Sequence, residues 1–313
     1  MKKELKNNSV DKSYQLTNSK YRLKPTEIKL VLSLLSLVRE EDEEFKEYKI
    51  PLSNLRDTLN VKNGQDIKMA CLTIMSKPLC IQLETGGWKI FNWFSGLEFE
   101  PKSKIITARI DRGLKPYLLN LKGYYSTYKL RYILGMKSSY SIRLYEILNQ
   151  RKKLKTYTIG FKELGDILVV SKSLKTYAQF KRDVLLKAQV ELKEQSDLRF
   201  EFKEIKTGRR VDKIKFSIFD NKSKYELELE REREFYTFVE TIREYYQGMD
   251  SSIGVTFSGK EIHITKKGFL IFRREGEDDE TLDRDRALEV WRAMFDSLDK
   301  LDNLKKIMET TIS

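Results

Sequence analysis

Residues 173–195, SLKTYAQFKRDVLLKAQVELKEQ, run almost directly into residues 198–219, LRFEFKEIKTGRRVDKIKFSIF, and the fold turns on that junction. In the first segment Phe180, Val184, Leu185, Ala188 and Leu192 recur at three- and four-residue intervals, which places them on one buried face of a helix. The second segment alternates apolar and polar residues on both sides of KTGRR. That pattern predicts a two-stranded antiparallel hairpin with a glycine-containing, basic tip.

The segments upstream complete a three-helix unit. KSSYSIRLYEILNQRKK (137–153) repeats Tyr140, Leu144 and Leu148 every four residues, with Ile142, Tyr145 and Ile147 widening the stripe and Arg143, Asn149 and Gln150 on the other side. It reads as a first, scaffolding helix, with Tyr145 in the core and Arg143 and Glu146 as buttressing groups. YTIGFKELGDIL (157–168) then gives a short strand and a small helix. Three helices followed by a basic β-hairpin is the winged-helix plan.

The same layout occurs earlier in the chain. KPTEIKLVLSLLSLVRE (24–40) is an apolar helix with Pro25 in its first turn. YKIPLSNLRDTL (48–59) places Ile50, Leu52 and Leu55 as Ile159, Phe161 and Leu164 are placed in the second copy. NGQDIKMACLTIMSKPL (63–79) supplies a third helix ending before Pro78, and WKIFNWFSGLEFEPKSKIITARI (88–110) a hairpin or three-stranded meander. The expected fold class is therefore α+β: two tandem winged-helix domains related by an internal pseudo-repeat, at 10–130 and 131–220, and a C-terminal α+β extension at 221–313. In that extension a long charged helix (221–248), two strands (252–257 and 260–274) and a closing helix (280–312) are expected.

Charge follows this division. The 313-residue chain carries 60 Lys+Arg against 47 Asp+Glu. Residues 1–220 hold 44 basic and 26 acidic residues, and residues 221–313 hold 16 and 21. The densest excess, 28 against 12, falls in residues 101–220 and favours a polyanionic partner.

A recognition helix presents the outward face near its N-terminus to the major groove. In the second copy that face is Lys175, Gln179 and Arg182, entered through Lys172, Ser173 and Thr176, and the basic wing supplies Lys206, Arg209, Arg210 and Lys213. Arg and Lys suit guanine edges, Gln suits adenine, and hydroxyls and cations suit phosphates. The first copy offers Lys62, Asn63, Gln65 and Lys68 in the equivalent place, diluted by Asp66.

SSYSIRLYEILNQ (138–150), FKELGDIL (161–168) and YAQFKRDVLLKAQVELKEQSDLRFEFKEIKTGRRVDKIKFSI (177–218) together resemble the plasmid replication initiator (Rep) family of tandem winged-helix proteins. VDKSYQLTNSKYRLKPTEIKLVLSLLSLV (10–38) is similar to that family's opening strand and first helix, so the likeness spans about residues 10–220. One departure is Lys187, where many members carry proline. The resemblance implies a sequence-specific double-stranded DNA binder that loads onto origin repeats (iterons), opens AT-rich DNA and brings in the host initiator and replicative helicase. It further implies a homodimer in equilibrium with monomer, joined through the first domain and repressing its own gene, with the second domain making most base contacts.

Several features could suggest other chemistry. Tyrosine nicking of the rolling-circle kind needs two metal-holding histidines, and the chain has only His263. GVTFSGKE (254–261) approaches a P-loop, yet Glu261 stands where a magnesium-binding hydroxyl is required, so a hairpin turn at Ser258-Gly259 is expected instead. The acidic runs at 40–45 and 275–280 lack the glycine and ligand spacing of an EF-hand. Of Trp88, Phe91, Trp93 and Phe94, at least half must pack internally, which limits a single-strand stacking platform. Cys71 and Cys80 are expected to be reduced, buried thiols. No catalytic residue, metal site or cofactor is expected. Lacking an apolar run of spanning length or a leader pattern, the chain is expected to be soluble and intracellular with no membrane partner, and the resemblance implies the bacterial cytoplasm. The competing readings are a dedicated tandem winged-helix transcriptional repressor and, from another class, a nicking enzyme.

Overall fold

The computed structural model describes residues 5–39, 41–59, 61, 64–121, 125–171, 176–230, 233, 251–257, 260–265, 270–273 and 280–281. Two compact units divide the chain between Lys224 and Tyr225. The first contains both winged helices.

Strand β1 (Ser9–Ser13) opens the chain and is followed by a short helix, α1 (Tyr14–Thr17), capped by the Ser13 hydroxyl. Helix α2 (Pro25–Leu35) buries Ile28, Leu30, Val31, Leu32, Leu34 and Leu35. Next come β2 (Glu47–Pro51), α3 (Leu52–Leu59) and α4 (Gly64–Met75). A hairpin of β3 (Leu79–Gln82) and β4 (Trp88–Phe91) leads to β5 (Phe94–Glu100) and β6 (Ile105–Ile110), and only β5 and β6 join β2, in the order β2-β6-β5. Of the hairpin or meander expected over 88–110, the hairpin is what forms: β5–β6 is the first wing, while β4 turns back on β3, with Ile90 opposite Cys80.

A short helix, α5 (Lys115–Leu118), precedes β7 (Tyr125–Lys129), and α6 (Arg131–Leu134) precedes α7 (Ser139–Asn149). The second copy continues with β8 (Thr156–Gly160), α8 (Phe161–Ile167) and α9 (Tyr177–Phe180). Residues Lys181–Leu186 form a π-helical turn that runs on into α10 (Lys187–Gln195). Strands β9 (Leu198–Thr207) and β10 (Arg210–Asp220) make the second wing, in a sheet ordered β8-β10-β9.

The two sheets have one topology. The strand before the second helix lies beside the returning strand of the wing, with Ile50 opposite Ile106 and Ile159 opposite Ile214. Ile50, Leu55, Ile159 and Leu164 are all buried, as the pseudo-repeat required. The predicted face of the long helix is also correct: Phe180, Val184, Leu185, Ala188 and Leu192 are buried.

Arg143 buttresses Glu146 as expected, but its placement on the polar side of the helix fails. It lies inside at 2 % exposure, because α7 is covered on that side by the N-terminal segment. Strand β1 pairs with β7 from Ser9–Lys129 to Ser13–Tyr125, and this ribbon delivers Lys12 to Glu146. Glu146 accepts from Lys12 Nζ at 2.8 Å, Tyr128 OH at 2.6 Å, Arg143 Nη1 at 3.2 Å and Tyr21 OH at 3.3 Å. Arg143 Nη2 also donates to the Ser19 carbonyl at 2.7 Å, and its guanidinium stacks 4.1 Å from the Tyr21 ring centroid. Burial works to raise the Glu146 carboxyl, but Lys12 and Arg143 outweigh it and hold the group below the usual carboxylate range. Burial pushes the Lys12 ammonium down, Glu146 opposes this, and Arg143 adds to it. The opposite balance at the two partners reflects two cations sharing one carboxylate.

In the second unit β11 (Ser251–Phe257), β12 (Lys260–Ile264), β13 (Leu270–Arg273) and β14 (Glu280–Thr281) form one antiparallel sheet in chain order. The segment 260–274 is therefore two strands and not one, with Ile264 opposite Leu270. Glu280 and Thr281, expected to open the closing helix, pair instead with Phe272 and Ile271. The rest of that helix lies outside the described residues, as does most of the expected helix at 221–248, of which 224–230 and 233 are helical.

Candidate nucleic-acid interface

Helix α9 begins with a capping box. The Thr176 hydroxyl accepts from the Gln179 backbone N–H at 3.2 Å, and Gln179 Oε1 accepts from the Thr176 backbone N–H at 3.2 Å. The helix therefore starts at Tyr177, later than the stretch 172–182 proposed for base reading, and the Gln179 carbonyl is committed to the cap. Lys172, Ser173 and Lys175 lie outside the described residues, as do Lys62 and Asn63.

Beyond the cap, Ala178 and Arg182 stand on the exposed side. The Arg182 side chain is 70 % exposed and meets Asp183 through two bonds, Nε to Oδ1 at 3.0 Å and Nη2 to Oδ2 at 2.8 Å. The Arg182 hydrogen bond holds the Asp183 carboxyl below its ordinary range. Lys181, by contrast, turns toward the wing and bonds Glu204 of β9 at 2.8 Å, tying helix to hairpin.

The wing presents its cations to solvent. Lys206, Arg209, Arg210 and Lys213 are all exposed, as the sequence predicted, with Gly208 at φ +62° forming the tip. A β-bulge lies between Val211 and Lys213. Two further lysines belong here and were missed: Lys203 and Lys215 are exposed and directly opposite one another on β9 and β10. Like charges facing across a ladder are destabilising unless an anion answers them. The alternation of buried Ile214, Phe216 and Ile218 with Lys213 and Lys215 was the available signal.

In the first copy Gln65 and Lys68 are exposed on α4, and the β5–β6 connection adds exposed Lys102 and Lys104, also missed. Trp93 and Phe94 are buried and Phe91 is partly covered, so of these four only Trp88, 63 % exposed, is open to stack on a base. Cys71 and Cys80 are free and partly buried, and burial pushes the Cys71 thiol up to about 11. His263 lies 3.0 Å from Glu261 Oε2 and 3.4 Å from Arg273 Nη1, partners on the same sheet. The P-loop-like segment is an antiparallel pair with Phe257 opposite Lys260, and Ser258 and Gly259 lie outside the described residues. Among the described residues no cluster of metal-binding side chains converges, and no helix is long and apolar enough to cross a membrane.

Residues 9–149 match the family described as "Initiator Replication protein, WH1", and residues 160–218 match "Initiator Rep protein, WH2". The chain belongs to the replication initiator family. The first match takes in β1 through α7 and the second α8 through both wing strands, while residues 219–313 of this initiator lie beyond both. A curated relative, the PI protein of Escherichia coli, is 24 % identical over 182 residues, 52 % of this chain. The match spans 59 % of that relative's length. The solved structure titled "Crystal structure of Pi initiator protein in complex with iteron DNA" superposes with a TM-score of 0.58 at 20 % identity, covering 69 % of this initiator and 98 % of that chain. At that identity the match speaks for a shared fold.

Proposed function

We propose that this chain is a non-enzymatic plasmid replication initiator that binds double-stranded iteron repeats sequence-specifically. The observation that carries the reading is one winged helix that offers an exposed Arg182 on its third helix beside an exposed basic wing at Lys206–Lys213. The solved relative's title places iteron DNA on a chain of the same fold. The second domain (131–220) takes the main base contacts. The first (10–130) takes backbone contacts through Gln65, Lys68 and the 102–104 turn, and also serves dimerisation. Lys62, Asn63, Lys172, Ser173 and Lys175 are further DNA-contact candidates on the sequence alone. Residues 221–313 are an acidic extension or small domain that docks a host replication protein or a second protomer. On this reading the protein acts in the bacterial cytoplasm, opens AT-rich DNA next to the repeats, recruits the host initiator and helicase, and represses its own gene as a dimer.

The test uses fluorescence anisotropy with duplexes cut from the DNA flanking the gene. Preference for tandem repeats over shuffled duplexes of the same composition is expected. A covalent tyrosine adduct on supercoiled plasmid with divalent metal would overturn the reading, as would equal affinity for all duplexes.

A further inference from the structure

Asp183 is out of place for affinity. It lies on the recognition helix, in the third of the chain where bases outnumber acids by 28 to 12, and a carboxylate near phosphates costs binding. Neighbouring side chains on an α-helix do not face each other. Here the long Arg182 side chain folds back on its neighbour, within a π-helical turn at Lys181–Leu186, a feature often found at functional positions. Both Asp183 oxygens are engaged side-on by Arg182, and Lys187 Nζ stands 3.6 Å from Oδ1.

That arrangement decides which guanidinium hydrogens are available. Nε–H and one Nη2 hydrogen point at Asp183, which leaves Nη1 and the second Nη2 hydrogen along the outer edge of the planar fork. Two parallel N–H groups on that edge match guanine O6 and N7. Ala178, exposed one turn earlier, adds no bulk beside the approach.

We propose that Asp183 is a positioning residue that fixes Arg182 end-on toward one guanine, giving up general affinity for discrimination at a single G·C pair. The assignment rests on the DNA-binding reading above. Held in place, the arginine loses less rotamer freedom on binding. The carboxylate penalises any duplex on which that contact is missing.

The full-length protein would be used to select from duplexes with a randomised core, followed by sequencing. Wild type should enrich a motif containing a G·C pair at which Asp183→Ala loses roughly tenfold discrimination, within the range of one bidentate contact. Arg182→Ala should lose the same pair, the double variant should lose nothing further, and Asp183→Asn should fall between. Asp183→Ala should bind random duplex as tightly as wild type or more so. Several results overturn the assignment: an unchanged motif in Asp183→Ala, losses by the two residues at different pairs, or uniform weakening on every duplex. If wild type enriches no motif, the DNA-binding reading falls with it. If wild type enriches one and Asp183→Ala enriches the same one equally well, only the role of Asp183 falls.

Discussion

Lys12 Nζ and Glu146 Oε1 lie 2.8 Å apart, with both side chains fully buried, and they join the opening strand to the first helix of the second winged helix across 134 residues of sequence. Removing one partner leaves the other charged and dry, a loss of about 3–5 kcal/mol. Lys12→Met and Glu146→Leu should each show it in urea unfolding. The double variant should lose less than the sum of the two, since both buried charges go at once, but it should not recover fully, because Arg143 Nη1 also bonds Glu146 and is left without its carboxylate. Additive losses would show that the pair does not act as a unit.

The same carboxyl gives the fold an acid limit. A group whose folded pKa lies below its unfolded value, about 4 for Glu, contributes stability above that value and loses it as pH falls through the folded pKa. Glu146 is held low in this way by Lys12 and Arg143 against the effect of burial. Wild type should therefore be less stable at pH 3 than at pH 7, and the gap should narrow in Glu146→Gln. An equal gap in both proteins would assign the acid sensitivity to other carboxylates such as the exposed Asp220 and the half-buried Glu204, which are also held low by lysines.

Gly208 sits at φ +62° with nothing within 4 Å of an added Cβ, so Gly208→Ala meets strain from backbone conformation alone. A loss of about 1 kcal/mol in thermal unfolding is expected. The distortion falls at the wing tip, so salt-dependent DNA affinity should drop as well. A variant with wild-type stability would show that the tip relaxes to another turn.

Arg182→Ala should cost about 1–3 kcal/mol on a repeat and less on random duplex, as loss of a base contact does. Arg209→Ala should weaken both, and reduce the slope of log K against log salt by about 0.9 if one phosphate contact is lost. Competition titrations at two salt concentrations separate the two patterns. Equal losses from both changes on both duplexes would remove Arg182 from base reading.

The winged-helix repeat was legible because burial leaves a period. Ile50 and Leu55, like Ile159 and Leu164, are five residues apart in strand-then-helix segments, and a buried face must be written in apolar residues whatever its partners are. Buried charge leaves no such trace. Arg143 and Glu146 could be read as buttressing groups from their i,i+3 spacing, but Lys12 reaches Glu146 from 134 residues away, and no local window contains that pairing. Gln179 is a different case: Thr176 and Gln179 stand in capping-box spacing, so the helix start was readable and was passed over in favour of a base contact. The split of 260–274 into β12 and β13 was signalled by the Lys-Lys-Gly between two alternating runs. The π turn at Lys181–Leu186 has no sequence mark of its own.

The ribbon of β1 with β7 also sets an order of assembly during synthesis. Ser9–Ser13 has its partner at Tyr125–Lys129, and Lys12 has its counter-charge only at Glu146. At roughly 5–20 residues per second, the first strand leaves the ribosome on the order of ten seconds before its partner does. Until then the edge is open and Lys12 remains in water. The first winged helix, although made first, is thus sealed only as the first helix of the second one emerges, and a nascent chain halted short of Glu146 should bind chaperones or be cut near its start.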